Sequence, residues 1–398
     1  MNFPAHARLP LDADTDVLIV GGGVVGCSTA YYLARDGVDV TLIEQSDLNT
    51  QASGRNAGSL HVQLQGAFYR SDSEAVLAGR LDTLPLFMEG VRTWKSLAAE
   101  LDDDIELVAN GGLMVAETEA QMRFLAMKAD QEKSRGIEVE IIGAAEVHRL
   151  APYLSDRIIG AEYCPHEGKL NPTRAVPAIA RGAEAAGARI LREVELLGLE
   201  PINGGFRART SRGTIRCRRV VNAAGPLAAT VGAMVGIDLP ITQRCVQGTI
   251  TEPVEPFVSH LVYHVDRILT FKQVTNGNLL IGGGWPAHFD PATRYADVLR
   301  DSIQSNMWVA QFIVPRVAHL RLMRVWAGVN LRTDGRPILG EVRKVPGFHL
   351  AITADAGMSL GPACARLLAE TMRGRNASYD ITPFSIDRFD GVRPSTLN

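Results

Sequence analysis

Cysteine is scarce in this chain of 398 residues, with five present at 27, 164, 217, 245 and 364. No two form a Cys-x-x-Cys pair. That argues against a zinc site, an iron–sulfur cluster or a disulfide framework held by the chain itself, and it fits a reducing cytoplasm. An excess of one charge is missing too. The 41 Lys and Arg against 44 Asp and Glu leave a net charge of −3, which gives no reason to expect nucleic acid. No apolar run reaches membrane-spanning length, since the stretch 17–25 is short and broken by glycines. Residues 1–14 carry Pro4, Pro10 and acids but no apolar h-region, so no signal peptide is expected. Repeats and low-complexity segments are absent. With 46% hydrophobic and 21% charged residues, the composition is that of a soluble globular protein long enough for more than one domain.

Against those absences stands one strong motif. The apolar run Asp16-Val17-Leu18-Ile19-Val20 ends in Gly21-Gly22-Gly23-Val24-Val25-Gly26, a Gly-x-Gly-x-x-Gly. A helix-compatible stretch follows, then Val38 to Ile43 and Glu44. A lone glycine triplet is weak evidence, but strand, glycine turn, helix, strand and acid together make a dinucleotide-binding βαβ unit. Gly21 permits the turn, Gly23 lets backbone approach a pyrophosphate, and Gly26 lets helix and strand pack closely. The helix N-terminus offers N–H groups and a positive dipole end to the diphosphate. Glu44 can accept hydrogen bonds from a ribose diol.

The rest of the chain reads as alternating styles. Residues 81–101 have helical spacing, 112–116 read as a strand and 119–135 as a polar-faced helix. Asn171-Pro172-Thr173 starts a helix that Gly187 ends, and 189–194 resumes a strand. Arg219 to Gly225 is a buried parallel-type strand ending in small residues. From 231 to 324 short alternating runs appear, with Asn276-Gly277 as a hairpin signal. Phe348 to Thr353 returns to strand character, followed by a helix over 362–373. The fold class is therefore α/β: a Rossmann-type domain with an inserted, mainly antiparallel sheet. The expected boundaries are 14–80, 150–230 and 326–398 for the discontinuous nucleotide domain, and 81–149 with 231–325 for the substrate domain.

Three features favour FAD over NAD. Ser53-Gly54-Arg55-Asn56-Ala57-Gly58-Ser59 can wrap a diphosphate or the flavin side. The strand ending Ala223-Ala224-Gly225 brings backbone near a ligand. Finally, Asp355-Ala356-Gly357-Met358-Ser359-Leu360-Gly361 opens a helix that can point N–H groups at the flavin's pyrimidine edge. The candidate cofactor contacts are Gly21, Gly23, Val24, Val25, Gly26, Glu44, Gln45, Ser53, Arg55, Asn56, Ala57, Gly58, Ser59, Leu60, Val194, Ala223, Ala224, Gly225, Gly357, Met358, Ser359 and Leu360.

On the motifs 21–26 with Glu44, 52–58, 220–225, Trp326-Ala327-Gly328 and Asp334 to Gly340, the chain resembles the D-amino acid oxidase-like family of FAD-dependent oxidoreductases over nearly its whole length. Asn56 to Gln63 looks most like the B subunits of bacterial opine (octopine or nopaline) oxidases, with hydrogen cyanide synthase and hydroxyproline dehydrogenase subunits as neighbours. The resemblance implies a glutathione reductase-like FAD domain and oxidation of a C–N bond by hydride transfer to flavin N5. The imine then hydrolyses to an amino acid and a 2-oxo acid. It also implies a small-molecule amine substrate and a hetero-oligomer with a second flavin or iron–sulfur subunit. FAD would be non-covalent, because Pro172 falls where relatives attach FMN through a His; FMN at a subunit interface remains open. The family often places an Arg just after Trp-Ala-Gly for the substrate carboxylate. Asn330 stands there in this chain, with Arg332 nearby.

His61, Tyr263, His264 and Arg332 are the catalytic candidates. Each has a plain alternative: a structural histidine, a solvent-facing loop pair for Tyr263 and His264, and a surface ion pair for Arg332. Lys272 and Gln273 read as exposed, Cys27 as a small packed thiol and Asp102-Asp103-Asp104 as a solvated helix end. No metal site is expected. Two rivals remain. A flavin monooxygenase or NAD(P)H reductase would need a nicotinamide site, and no second Gly-x-Gly-x-x-Gly follows a strand. A flavin-bearing scaffold would only relay electrons within a complex. Within the amine-oxidising class, D-amino acid, hydroxyproline, glycine or sarcosine dehydrogenases are the alternatives to an opine enzyme.

Overall fold

The strand Ala13–Val20, apolar on both faces from Val17 to Val20, forms the centre of a sheet. Val17 and Ile19 pack into one core cluster, Leu18 and Val20 into another, as the two-residue strand period requires. The computed structural model describes residues 12–292 and 295–390. The last eight residues assigned above to the nucleotide domain, 391–398, lie outside the described residues.

In this sheet Phe348–Ile352, Gly213–Asn222, Ala13–Val20, Val40–Glu44 and Arg189–Arg192 run parallel in that order. Ile338–Glu341 adds an antiparallel edge. Gly205–Thr210 and Leu196–Ile202 extend the sheet as an antiparallel meander. One face carries the helices Val24–Arg35, Pro172–Ala185, Gly357–Met372 and Glu74–Glu100. Asn171 caps the second through its side chain, with Pro172 at the first helical position.

The second sheet orders Leu322–Arg332, Thr242–Pro253, Asn278–Pro286, Thr270–Gln273, Leu261–His264, Gly112–Ala116, Gly160–Cys164 and Glu140–Gly143. It is antiparallel except for the parallel pair Leu261–His264 with Gly112–Ala116. Glu119–Lys133, opened by a Thr118/Gln121 capping box, covers one face. Arg300–Ile313 covers the other. Both sheets take segments from several parts of the chain. Gly160–Cys164 and all of Leu322–Arg332 pair in the second sheet, although 150–230 and residues from 326 were grouped with the nucleotide domain. Conversely, Glu74–Glu100 packs through Leu84, Val91, Trp94 and Leu97 into the nucleotide-domain core.

The final helix starts at Gly357, inside the expected opening 355–361 and five residues before the expected span 362–373. Proline has no N–H, so Pro362 leaves the carbonyl of Met358 without its helical partner. The buried Trp94 indole donates to that carbonyl at 2.6 Å. One side chain thus lets the helix begin early and ties it to Glu74–Glu100. Trp94→Phe strands the carbonyl, and chemical denaturation should show a loss of about 1–3 kcal/mol.

Candidate active site

The first glycine loop is closed by contacts that leave no room for side chains. A Cβ on Gly26 would sit 1.9 Å from the Gly21 carbonyl oxygen, and one on Gly21 would sit 2.5 Å from that of Ala223. Gly21 also has φ +113°, open to glycine alone at little cost. Glu44 orders the loop. Its carboxylate accepts the N–H of Gly22 at 2.7 Å and of Ser46 at 2.9 Å. A carboxylate has about four acceptor positions, so it retains capacity for a ribose diol. The Ser53 hydroxyl accepts the Val24 N–H at 3.0 Å, bringing the second glycine segment against the first helix turn.

A cavity of about 840 Å³ opens from this loop. Of the expected cofactor contacts, Gly21, Gly23, Val24, Val25, Glu44, Gln45, Ser53, Arg55, Asn56, Ala57, Ser59, Ala223, Ala224, Gly225, Gly357, Met358 and Leu360 line it. Its far wall carries His61, Gln63, Gln247, Trp326, Asn330 and Arg332. The glycine cradle, the acid at the second strand and the helix start at Gly357 fit FAD across its length. Ala354, on the same wall, holds φ +56° just before that helix, a strained conformation of the kind that gathers at functional sites.

Five expected contacts sit behind the wall instead. Gly26 serves the helix–strand approach. Gly58 turns the chain at φ +71°, where a Cβ would meet the Leu170 carbonyl oxygen at 2.2 Å. Leu60 is fully buried in the core. Val194 is buried with its N–H on the Glu44 carbonyl, 2.8 Å. Ser359 accepts the His61 N–H at 2.9 Å, fixing His61 from the final helix.

His61 and Tyr263 come together: His61 Nδ1 lies 2.5 Å from the Tyr263 hydroxyl. Tyr263 is buried rather than solvent-facing, and burial, with the nearby Glu167 carboxyl, raises its pKa well above the ordinary tyrosine value. His264 is not part of this site. The strand period turns it to the opposite face, where its Nδ1 accepts the N–H groups of Asp266 and Arg267 and its Nε2 lies 2.8 Å from Glu117. Burial lowers its pKa to about 4, so it is neutral and structural.

Arg332 reaches the cavity and donates to Asp72 at 2.7 Å, and Asp72 also pairs with Arg80. Arg55, Arg80, Arg244 and Arg332 all line the wall. Arg55 further ties the second glycine segment to the strand Leu322–Arg332, donating to the Ala327 carbonyl at 3.0 Å while the Trp326 indole donates to the carbonyl of Arg55 at 2.8 Å. Lys272 and Gln273 are buried, contrary to the reading of them as exposed. Lys272 donates to Ser59 at 2.6 Å from behind the flavin-side segment.

Sequence reasoning missed Arg80, Arg244, Gln63 and the buried acids. Arg80 lies on the helix Glu74–Glu100 just before the stretch 81–101 whose spacing reads as helical, and Arg244 lies near the start of the strand Thr242–Pro253. Glu167 accepts the N–H of Val62 at 2.8 Å and of Gln63 at 3.0 Å. Burial pushes its pKa up to about 7. Nearby, Lys128 bridges Glu132 at 2.7 Å and Glu162 at 2.8 Å, with all three side chains fully buried. No local signal announces a carboxylate that folding will bury. Among the described residues no group of three or more His, Cys, Asp or Glu is placed to hold a metal, and no helix is long and apolar enough to cross a membrane.

Residues 16–371 match the family model of FAD dependent oxidoreductases (DAO), and the chain belongs to that family; its cofactor is FAD. It is 28% identical to glycine oxidase of Geobacillus kaustophilus over 94% of this chain and 97% of that protein. The crystal structure of the G. kaustophilus enzyme superposes with a TM-score of 0.84 over 94% of this chain and 99% of that one. An opine oxidase subunit of Agrobacterium tumefaciens is 25% identical over 94% of this chain and 98% of its own length. Human mitochondrial sarcosine dehydrogenase is 27% identical over 96% of this chain, which spans 42% of that protein.

Glu44→Gln exchanges one of the two anchoring oxygens for an amide that cannot accept. FAD titration by fluorescence quenching should show affinity weakened by about tenfold, equivalent to about 1.4 kcal/mol.

Proposed function

We propose that this chain oxidises the C–N bond of an N-substituted, opine-like amino acid, giving an amino acid and a 2-oxo acid. The observation that carries the reading is Arg332 on the cavity wall, two residues beyond Asn330, where the family resemblance implies an arginine. FAD, when bound, supplies the two-electron acceptor for hydride from the substrate α-carbon.

The chain's own residues supply position and field. Hydride transfer depends more on orientation than on a strong base. Arg332 offers a planar fork for a substrate carboxylate, and Asp72 orients it from the side away from solvent. The other wall arginines, Arg55, Arg80 and Arg244, suit a substrate bearing more than one carboxylate, as an opine does. Ser359 and Tyr263 fix His61 from two directions. Water released into the cavity after oxidation hydrolyses the product imine to a carbonyl compound and an amine.

The naming of one relative as a subunit of an opine oxidase supports a hetero-oligomer; the proposed partner would carry a second flavin or an iron–sulfur centre. Five free cysteines support a cytoplasmic setting.

The test is anaerobic mixing of the FAD-loaded protein, co-expressed with its genomic neighbours where needed, with octopine, nopaline, sarcosine, glycine, D-amino acids and hydroxyproline. Bleaching of oxidised flavin by an opine is the expected result. Bleaching by the small amino acids alone keeps the reaction and discards the opine. Bleaching by none points to an electron-relaying role. Arg332→Met should raise KM for the bleaching substrate by about 10–100-fold, the scale of one lost charge-assisted pair.

A further inference from the structure

Amino acids with a secondary amine carry it as an ammonium at neutral pH, and a protonated nitrogen has no lone pair to help expel hydride from the neighbouring carbon. One proton must leave first. His61 lines the cavity and its Nδ1 lies 2.5 Å from the Tyr263 hydroxyl. Burial and the nearby Glu167 carboxyl together raise the pKa of that hydroxyl. Tyr263 and Glu167 are both buried, and neither lines the cavity.

We propose that His61, Tyr263 and Glu167 form a proton relay that carries the ammonium proton of the substrate from the cavity to a buried carboxylate. The proposal rests on the amine-oxidising reading above. The substrate N–H bond breaks as a bond to His61 Nε2 forms. The Nδ1 proton passes to the Tyr263 oxygen, and the Tyr263 hydroxyl proton passes to Glu167. The net change is one ammonium and one carboxylate converted to one amine and one carboxylic acid; no electrons move. His61 meets the substrate in this scheme, whereas Tyr263 and Glu167 act through it.

Gln63 fits both states of the acid. Its side-chain N–H donates to Glu167 Oε2 at 2.8 Å, while its own Oε1 is buried without a partner. A turn of the amide by half a rotation would present Oε1 to a newly protonated acid, so neither state leaves Glu167 unsatisfied.

The electrostatic surroundings set the working range. Glu167 faces the N–H groups of Val62 and Gln63, the Gln63 amide, Tyr263, the Cys164 thiol and, farther off, Lys128. Tyr263 faces His61, Glu167, Cys164 and, farther off, Glu132. Burial outweighs the donors and holds Glu167 at about 7. Below that pH the acid already carries its proton and the relay is blocked; above it the carboxylate can accept.

The experiment compares wild type, Tyr263→Phe and Glu167→Gln as FAD-loaded proteins. Flavin reduction by the N-substituted amino acid that bleaches the wild type is followed from about pH 5.5 to 9, a range that brackets the carboxyl's titration. Wild-type reduction should rise through about pH 7, and Tyr263→Phe should be slower by about 10²-fold above pH 7 with the rise lost, the scale of a removed acid–base step. A second readout avoids turnover. 2-Aminoisobutyrate has an ammonium and a carboxylate but no hydrogen on the carbon bonded to nitrogen. Its binding at about pH 8, where the carboxylate is free to accept, should produce an infrared carboxylic-acid band in wild type that is absent in both variants. An unchanged pH profile in Tyr263→Phe, or no such band in wild type, or the same band in Tyr263→Phe, overturns the relay. Failure of every amine to bleach the wild-type flavin instead overturns the amine-oxidising reading, and the relay with it.

Discussion

The segment from His61 to Leu64 is held to the protein by buried charge, and much of the site hangs from it. Glu167 takes the N–H groups of Val62 and Gln63, and Glu132 takes that of Leu64 at 2.8 Å. Carboxylates bound by several N–H groups are well satisfied acceptors, yet each sits where water does not reach. Lys128 offsets part of that cost by bridging Glu132 and Glu162, and the two glutamates hold its pKa above the ordinary lysine value despite burial. The second oxygens, Glu132 Oε2 and Glu162 Oε1, have no other partner, and burial raises the pKa of Glu162. A proton retained by Glu162 makes it a donor to Glu132 and satisfies both. Removing one member of such a cluster leaves an uncompensated charge, which is why the trio is an all-or-none unit.

From that seam the geometry propagates in two directions. On one side Ser359 receives the His61 N–H, and the final helix that carries Ser359 is itself placed by the Trp94 indole at the Met358 carbonyl. On the other side Tyr263 closes against His61 from the second sheet. Arg55 and Trp326 then lock the second glycine segment to the strand Leu322–Arg332, the strand that also carries Asn330 and Arg332. The cofactor cradle and the substrate wall are thus one hydrogen-bonded body rather than two domains that merely meet.

The nucleotide half of this arrangement was legible because it is local. Gly21 to Gly26, the flanking strands and Glu44 sit within about thirty residues, and their spacing encodes a turn, a helix start and an acceptor. Strand period and helix caps likewise announced Gly112–Ala116, Glu119–Lys133 and Pro172–Ala185. The substrate half was legible only in part. Tyr263 and His264 are adjacent in sequence and opposite in space, and only the paired register of Leu261–His264 against Gly112–Ala116 tells which one faces His61. Glu132, Glu162 and Glu167 look like ordinary surface acids, because burial is a property of what later packs over them. Arg300–Ile313 lies unseen inside a region read for its hairpins, and for the last helix the start read over 355–361 agrees with the structure while the span 362–373 leaves out the turn before Pro362, where a distant tryptophan supplies the missing donor.

The charges of the site act on the substrate nitrogen from both ends. Arg55, Arg80, Arg244 and Arg332 give the wall a positive field that draws carboxylates in. A field of that sign favours an anionic group and disfavours an ammonium beside it, so the bound amine loses its proton more readily than it would in water. In the proposed reaction, binding the carboxylate and neutralising the nitrogen would be the same electrostatic event. The proposed relay would give the displaced proton a destination at an interior acid, away from the arginines. Such a cavity would favour the amine–carboxylate anion over the zwitterion, the form from which hydride can leave.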